Sequence, residues 1–239
     1  MNFLRIIQAA SIAMICLASG RGLASTATYS VTFTGTWSQA THPGAYPAGA
    51  HFSALVGGVH NDQVSFWSPG GLASPGIEQM AEVGGTSLLS GEVQAAINAG
   101  NASAVVLGGG IASPGNTTTN FQVSSAFPLI TLTSMVAPTP DWFVGVHGLD
   151  LRDGAGWKSQ VVVDLFGYDA GTEQGTGFSL ANPDTVPHQP ISLLTLPFTP
   201  GSPKLATFTF SLLSSVPEPA TVGLFLSGAT PALFWRRRR

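Results

Sequence analysis

Cysteine is almost missing from this chain of 239 residues: the only one is Cys16, near the N-terminus. Because no thiol follows it, the rest of the chain can form no internal disulfide and has no cysteine nucleophile or thiolate metal ligand. The five histidines are scattered, and no H-E-x-x-H motif brings two of them onto one helical face. The usual zinc sites are therefore excluded.

Charge is also scarce, and basic charge above all. Charged residues make up 9% of the chain, against about 25% in average soluble domains. Between its two ends the chain has three basic residues, Arg152, Lys158 and Lys204, against eleven acidic ones, a net charge of −8. Such a surface excludes nucleic acid as a partner, because phosphate binding needs basic side chains, but it suits cations.

No catalytic motif replaces these missing residues. There is no G-x-S-x-G nucleophile elbow, and the paired carboxylates of a glycoside hydrolase would have to come from Glu78, Glu82 and Glu92. All three lie in a polar segment, which favours a solvated surface and a non-enzymatic protein. A secreted hydrolase that acts on polysaccharide is the alternative.

The N-terminus has the layout of an export signal. Arg5 precedes an apolar run from Ile6 to about Ala18, and small residues follow. The run is short for a membrane span of about 20 residues. We therefore predict a signal peptide over residues 1–24, with cleavage after Ala24 or, alternatively, after Ala27.

The C-terminal tail, residues 214–239, has three parts in a fixed order. Residues 220–235 predict a transmembrane helix, and a cluster of arginines predicts a cytoplasmic stop. The tail resembles the PEP-CTERM sorting signal of Gram-negative bacteria, which implies removal by an exosortase and transient inner-membrane anchoring before export to the cell surface or matrix. The residues that carry this resemblance are Pro217, Glu218, Pro219, Arg236, Arg237, Arg238 and Arg239.

The body of the chain alternates apolar and polar residues in the manner of half-buried strands. The clearest case is YSVTFTGTW, with apolar residues at every second position. Strands are predicted at residues 29–37, 121–125, 129–135, 142–151, 157–166 and 205–213. RDGAG, at 152–156, predicts a hairpin loop, since Asp153-Gly154 is a turn dipeptide.

Little of the sequence is typical of helix. Residues 91–100 predict one short helix that stops at Gly100, residues 51–59 suggest a further helical turn, and residues 100–120 predict a Gly/Asn/Thr-rich loop. Many antiparallel strands with closely spaced turns predict an all-β fold, specifically a β-sandwich.

Six of the eleven acidic residues fall between Asp141 and Glu173. Solvated hairpin turns would explain this clustering, and so would a cation site. Asp141 follows two prolines and precedes an apolar strand, and Asp169 and Glu173 flank a bend at Gly171. Loops between strands supply carboxylate and carbonyl oxygens, the ligands that calcium prefers. A three-carboxylate calcium site is the sharper hypothesis.

The stretches APTPDWFVGV, VVVDLFGYDAGTE and NPDTVP resemble the spondin N-terminal domain, which occurs in extracellular-matrix proteins. The resemblance covers residues 28–213 and implies an eight-stranded antiparallel β-sandwich similar to calcium- and lipid-binding sandwich domains. It also implies one calcium ion held by Asp141, Asp169 and Glu173, with Glu173 standing where the family has Asp. Asp164 matches a family acid and is expected to lie behind the ligands.

These observations predict an exported, non-enzymatic protein that binds calcium. Its expected role is adhesion or contact with extracellular polysaccharide or a surface protein. A structural matrix protein with a vestigial ion site is a further alternative. The partners of animal relatives do not transfer, because function depends on the site rather than on the fold.

Overall fold

The computed structural model describes residues 25–195, 197–198 and 203–216. The predicted signal peptide and the predicted sorting tail, with its expected transmembrane segment at 220–235, lie outside this part of the chain. Within it, neither helix has the length and apolar character needed to cross a bilayer.

The described part of the chain is mostly β, with antiparallel strands and two helices. The strands are β1 (Thr26–Gly35), β2 (His51–Phe52), β3 (Leu55–His60), β4 (Ala102–Gly108), β5 (Ile111–Ala112), β6 (Gly115–Ser124), β7 (Leu129–Ala137), β8 (Trp142–Asp150), β9 (Arg152–Asp153), β10 (Gly156–Trp157), β11 (Gln160–Leu165), β12 (Tyr168–Asp169), β13 (Ser192–Leu193) and β14 (Ala206–Val216). The helices are α1 (Pro75–Val83) and α2 (Ser87–Asn98).

One sheet has four antiparallel strands in the order β11-β14-β1-β6. Its central strand β1 alternates buried and partly exposed residues along nearly its whole length, as the sequence predicts, because only one face of the strand lies against the core. The first and last strands of the described chain are neighbours in this sheet: Thr26 is paired with Val216 and Gly35 with Ala206.

The second sheet has eight strands. Six of them follow the order β13-β12-β8-β7-β2-β5, and β3 pairs with both β7 and β4. Across both sheets, eight of the described strands (β1, β3, β4, β6, β7, β8, β11 and β14) are six residues or longer. The remaining strands are two-residue pairings.

The two sheets share one hydrophobic core. Phe33 on β1 and Phe208 on β14 lie in the same buried cluster as Phe52, Leu132 and Val144 of the other sheet. Aromatic rings join the layers directly, since Phe33 packs against Phe52 with ring centroids 5.1 Å apart. This is a sandwich-like arrangement in which the inward-facing residues of both sheets interdigitate.

The sequence predicts too little helix. The helix expected at 91–100 begins earlier, at Ser87, and a second helix, α1, was missed. Its signals are local ones: Ser74 accepts a hydrogen bond from the Ile77 N–H, a proline occupies the first turn, and Gly84 ends the helix at φ 66°. Both helices pack on the outer face of the larger sheet, where they form a second buried cluster.

Two further expectations are wrong. Residues 51–59 contain strands β2 and β3 rather than a helical turn. All six residues of β3 are buried because the core covers one face and α2 the other, so alternation is lost. The stretch 100–120 is not a loop: it contains β4, β5 and the first half of β6.

The turn predicted at Asp153-Gly154 is present, but the hairpin expected between the strands on either side of it is wrong, because β8 and β11 belong to different sheets. Strands β9 and β10 pair through Arg152 with Trp157 and Asp153 with Gly156. Gly154 lies at the turn with φ 58°, a conformation that glycine adopts without steric cost. This two-stranded hairpin lies outside both sheets.

Candidate metal centre

Asp141 occupies the turn between β7 and β8. The Thr139 hydroxyl donates to the Val136 carbonyl and accepts from the Trp142 N–H at 3.3 Å. These two bonds tie the turn to the strands on either side of it. Asp141 is fully buried, so its direction is fixed by the surrounding backbone.

The two carboxylate oxygens of Asp141 differ sharply. Oδ2 accepts hydrogen bonds from the N–H groups of Thr172 at 2.7 Å and Glu173 at 3.1 Å. Oδ1 is equally buried but has no hydrogen-bond partner. Burial raises the pKa of this carboxyl, and the bonds from Thr172 and Glu173 oppose the rise.

Asp169 lies close to Asp141 and belongs to β12, the strand that pairs with β8. On β12 it pairs with Trp142 of β8, and the following Ala170 N–H donates to the Asp141 carbonyl at 3.1 Å. The Gly171 N–H donates to Asp169 Oδ1 at 2.7 Å. Burial, and next the negative charge of Asp141, raise the pKa of Asp169 to about 6.

Glu173 lies at the end of this loop and is partly buried. Its Oε2 accepts a hydrogen bond from the Asn182 side-chain amide at 3.1 Å. The pKa of Glu173 is raised, first by burial and then by the charges of Glu82, Asp141 and Asp184. Asp169 and Glu173 both sense the charge of Asp141, so the three acids that the sequence predicts as ligands lie in one electrostatic neighbourhood.

Sequence reasoning considered Glu82 only as a hydrolase carboxylate, whereas in the structure Glu82 reaches the acidic cluster from α1. Burial raises its pKa, and repulsion from Glu78, Asp141 and Asp184 adds to the rise, while a hydrogen bond with the Thr172 side chain opposes it. No sequence motif indicated this placement, because α1 itself was not recognised. The cluster therefore draws on three elements: the β7–β8 turn, the loop after β12, and α1.

The other acids considered from the sequence lie elsewhere. Asp164 is on β11, in the four-stranded sheet, and its Oδ1 is 2.5 Å from Lys204 Nζ. Glu92 accepts from the Gly76 N–H and the Ser74 hydroxyl, both at 2.7 Å, and so links α2 to the start of α1. The structure gives both side chains a structural partner.

The donor set of the cluster fits a hard cation. It offers carboxylate oxygens only, one of them buried without a partner, and calcium takes such oxygens in a tolerant geometry. As the side chains stand, however, no three His, Cys, Asp or Glu residues of the described chain converge closely enough to hold a metal. An ion would require them to draw together.

Comparison with known proteins bears on this cluster. The family described as Spondin_N matches residues 27–208. The chain belongs to the spondin N-terminal domain family. Human Spondin-2 is 35% identical over 223 residues, which cover 91% of this chain and 66% of that protein. Rat Spondin-1 is 35% identical over 188 residues, 74% of this chain and 23% of that protein.

The chain thus spans just under two thirds of human Spondin-2 and about a quarter of Spondin-1. The similarity to the spondin N-terminal domain extends over the cluster, since the matched residues include Asp141, Asp169 and Glu173. The family resemblance predicted from the sequence is confirmed.

Proposed function

We propose that this chain is an exported spondin-type domain that binds one calcium ion through Asp141, Asp169 and Glu173, and that it serves in adhesion or in contact with extracellular polysaccharide. One observation carries the ion-binding part: Asp141 Oδ1 is buried and has no partner. A buried acceptor without a partner costs on the order of 1–3 kcal/mol, and more when it is charged.

The electrostatics of the cluster favour a bound cation, rather than a proton shared between two acids, as the species that offsets the repulsion. The pKa values of Asp141, Asp169, Glu173 and Glu82 are all raised, and mutual repulsion contributes to three of them besides burial. The described chain has two ion pairs, and neither brings a basic side chain to these four acids. A divalent ion would offset the repulsion and supply Oδ1 with a partner.

The surface role rests on the two ends of the chain and on the family. A signal peptide would export the domain, and an exosortase would recognise the C-terminal tail and remove it. The scarcity of charge, 9% of residues, and the hydroxyl-rich strands suit a protein outside the cell. The polysaccharide or surface partner follows from this location, not from the ion site.

A calcium titration of the purified protein tests the ion site. A ligand at 100 times its dissociation constant stabilises by about 2.7 kcal/mol, so the thermal midpoint should rise with calcium. Asp141→Asn should abolish the rise, whereas Asp164→Asn, which alters an exposed acid on another sheet, should retain it. A midpoint that calcium leaves unchanged in the wild-type protein would sink the proposal and favour a structural domain without an ion.

A further inference from the structure

A second feature of the structure points to a ligand. A cavity of about 400 Å³ lies where the β9–β10 hairpin meets the start of β1 and the end of β14. Its walls include Ser25, Arg152, Trp157, Leu212 and Val216. None of these belongs to the acidic cluster, and the volume falls within the range of ligand pockets, about 300–1,000 Å³.

Three residues that line this cavity carry a buried polar atom without a partner. In the described chain six buried side-chain N or O atoms make no hydrogen bond, and three of them, Ser25 Oγ, Arg152 Nε and Trp157 Nε1, belong to residues that line it. The Arg152 and Trp157 nitrogens can only donate. Buried donors are nearly always paired, so a molecule that satisfies these must present acceptors.

The cavity also holds a positive charge that forms no ion pair with a carboxylate of the described chain. Lys204 pairs with Asp164, whereas neither described ion pair involves Arg152. The Arg152 guanidinium lies over the Trp157 ring, 5.3 Å from its centroid, and one of its outer nitrogens donates to the Gly154 carbonyl at 3.0 Å. The neighbouring Asp150 carboxylate accepts from the backbone N–H of Arg152, not from its guanidinium.

The other lining residues are small, apolar or carry hydroxyls: Ala155, Gly156, Leu212, Val216, Ser25 and Ser215. A guanidinium beside an indole N–H selects a planar, charged acceptor, and a carboxylate is the group that matches arginine geometry. An aromatic ring, apolar walls and hydroxyls suit a sugar ring attached to that group. A bare inorganic anion would leave the apolar walls uncovered.

We propose that this cavity binds the carboxylate-bearing unit of an acidic sugar, a hexuronate. Arg152 Nε and Trp157 Nε1 donate to the carboxylate, and Ser25 bonds a ring oxygen or hydroxyl. Because these atoms are almost covered in the ligand-free protein, the hairpin yields slightly on binding. Two paired positions are all that join β9 to β10, so a small shift disturbs neither sheet.

The ligand class rests on the polysaccharide part of the proposed function, but the site does not use the calcium cluster. The full chain is therefore titrated with sodium glucuronate in the absence of calcium, and the Trp157 indole N–H resonance is followed by NMR. Glucose and inorganic phosphate serve as matched probes without the carboxylate and without the sugar ring. Glucuronate should shift the resonance with at least tenfold higher affinity than either.

Three variants complete the experiment. Arg152→Met should weaken glucuronate binding roughly tenfold to hundredfold, because a hydrogen bond to a charged group is lost. Trp157→Phe keeps an aromatic ring but removes the indole donor, and it should also lose most of the affinity for glucuronate. Because this variant lacks the Trp157 resonance, its binding is measured by calorimetry. Lys158→Gln removes a neighbouring positive charge that does not line the cavity and should bind as the wild type does.

Several results would overturn the inference. Equal binding of glucose or phosphate removes the carboxylate sugar as the preferred class, and an equal loss in Lys158→Gln shows attraction by charge alone. A normal calcium response alongside absent glucuronate binding rejects this site alone, whereas the converse rejects the ion site alone.

Discussion

At the scale of single residues, Asp169 links the acidic cluster to pH. In the metal-free protein the pKa of Asp169 is raised from 3.8 to about 6. Between these values the folded state binds more protons than the unfolded state, so the free energy of unfolding should fall as pH rises from about 4 to about 6. Each pKa unit corresponds to about 1.4 kcal/mol, which limits the fall to about 3 kcal/mol.

Urea unfolding in the presence of a chelator, repeated across this pH range, measures the effect. Asp169→Asn cannot titrate and should remove most of the fall, while the raised pKa values of Asp141 and Glu173 maintain the rest. With calcium present the trend should reverse, because the ion binds the deprotonated acids. A wild-type profile that coincides with that of Asp169→Asn would contradict this account.

Gly171 sets the course of the loop between Asp169 and Glu173. Its φ is 77°, and a Cβ there would lie 2.2 Å from the Gln189 carbonyl oxygen. Gly171→Ala should therefore cost more than the roughly 1–2 kcal/mol of a left-handed alanine alone and should weaken calcium binding.

Gly148→Ala is the matched control for Gly171→Ala. Gly148 also has a positive φ, 55°, but a Cβ there meets open space, so this variant should lose only the conformational share and keep its calcium response. Midpoints of urea unfolding distinguish the two. Equal losses of stability in both variants would show that the short distance between a Cβ at position 171 and the Gln189 carbonyl oxygen has no effect.

The site itself was accessible to sequence reasoning only in part. Asp141, Asp169 and Glu173 are predicted as ligands from the clustering of acids and from the family resemblance. Glu82 is not, because its role depends on where α1 packs. Asp164 was expected to lie behind the ligands, but it lies away from the cluster. Although β11 and β12 are consecutive along the chain, they belong to different sheets.

At the scale of elements, α1 depends on α2 for its start. Ser74 Oγ accepts from the Ile77 N–H at 3.3 Å and donates to Glu92 Oε2 at 2.7 Å. Ser74→Ala should therefore destabilise the protein by about 1 kcal/mol or more. Glu92→Gln, which replaces one acceptor with a donor, should cost about as much.

Thr86→Ala is the comparison for these two variants, because Thr86 precedes α2 but makes no capping bond through its side chain. Its unfolding midpoint in urea should stay near that of the wild type. A loss of activity on a polysaccharide in Glu92→Gln, with stability unchanged, would contradict the capping role and favour the hydrolase reading of this glutamate.

The sequence predicts a strand well when only one face of that strand is buried. Strands with one face against the core, such as β1 and β14, show period-two alternation. Strand β3 has none, because α2 covers its outer face. The first half of β6 is rich in Asn and Thr, and its strand structure comes from pairing with β1 over ten positions, which no local pattern announces.

At the scale of the whole molecule, the pairing of β1 bears on the two predicted cleavage points of the signal peptide. Thr26 pairs with both Val216 and Ser124, and Ala27 is buried. Cleavage after Ala27 would remove both from β1, so we expect the exported protein to begin at Ser25, after cleavage at Ala24.

Intact-mass measurement of the exported protein checks both ends. The mass should correspond to a chain that starts at Ser25 and ends near Pro219. Substituting the four terminal arginines, Arg236 to Arg239, should leave the tail attached. Exported wild-type protein that retains the arginine cluster would contradict processing by an exosortase.

The pairing of β1 with β14 has a mechanical consequence. Because Thr26 lies opposite Val216, a force that pulls the two ends apart would peel the strands open one hydrogen bond after another. The load is different when the domain is held at its C-terminus and pulled through another part of its surface. The pull then runs along β14, which is bonded to β1 on one side and to β11 on the other. Both rows of bonds share the load, so forced unfolding, governed by the unfolding rate, should be slow.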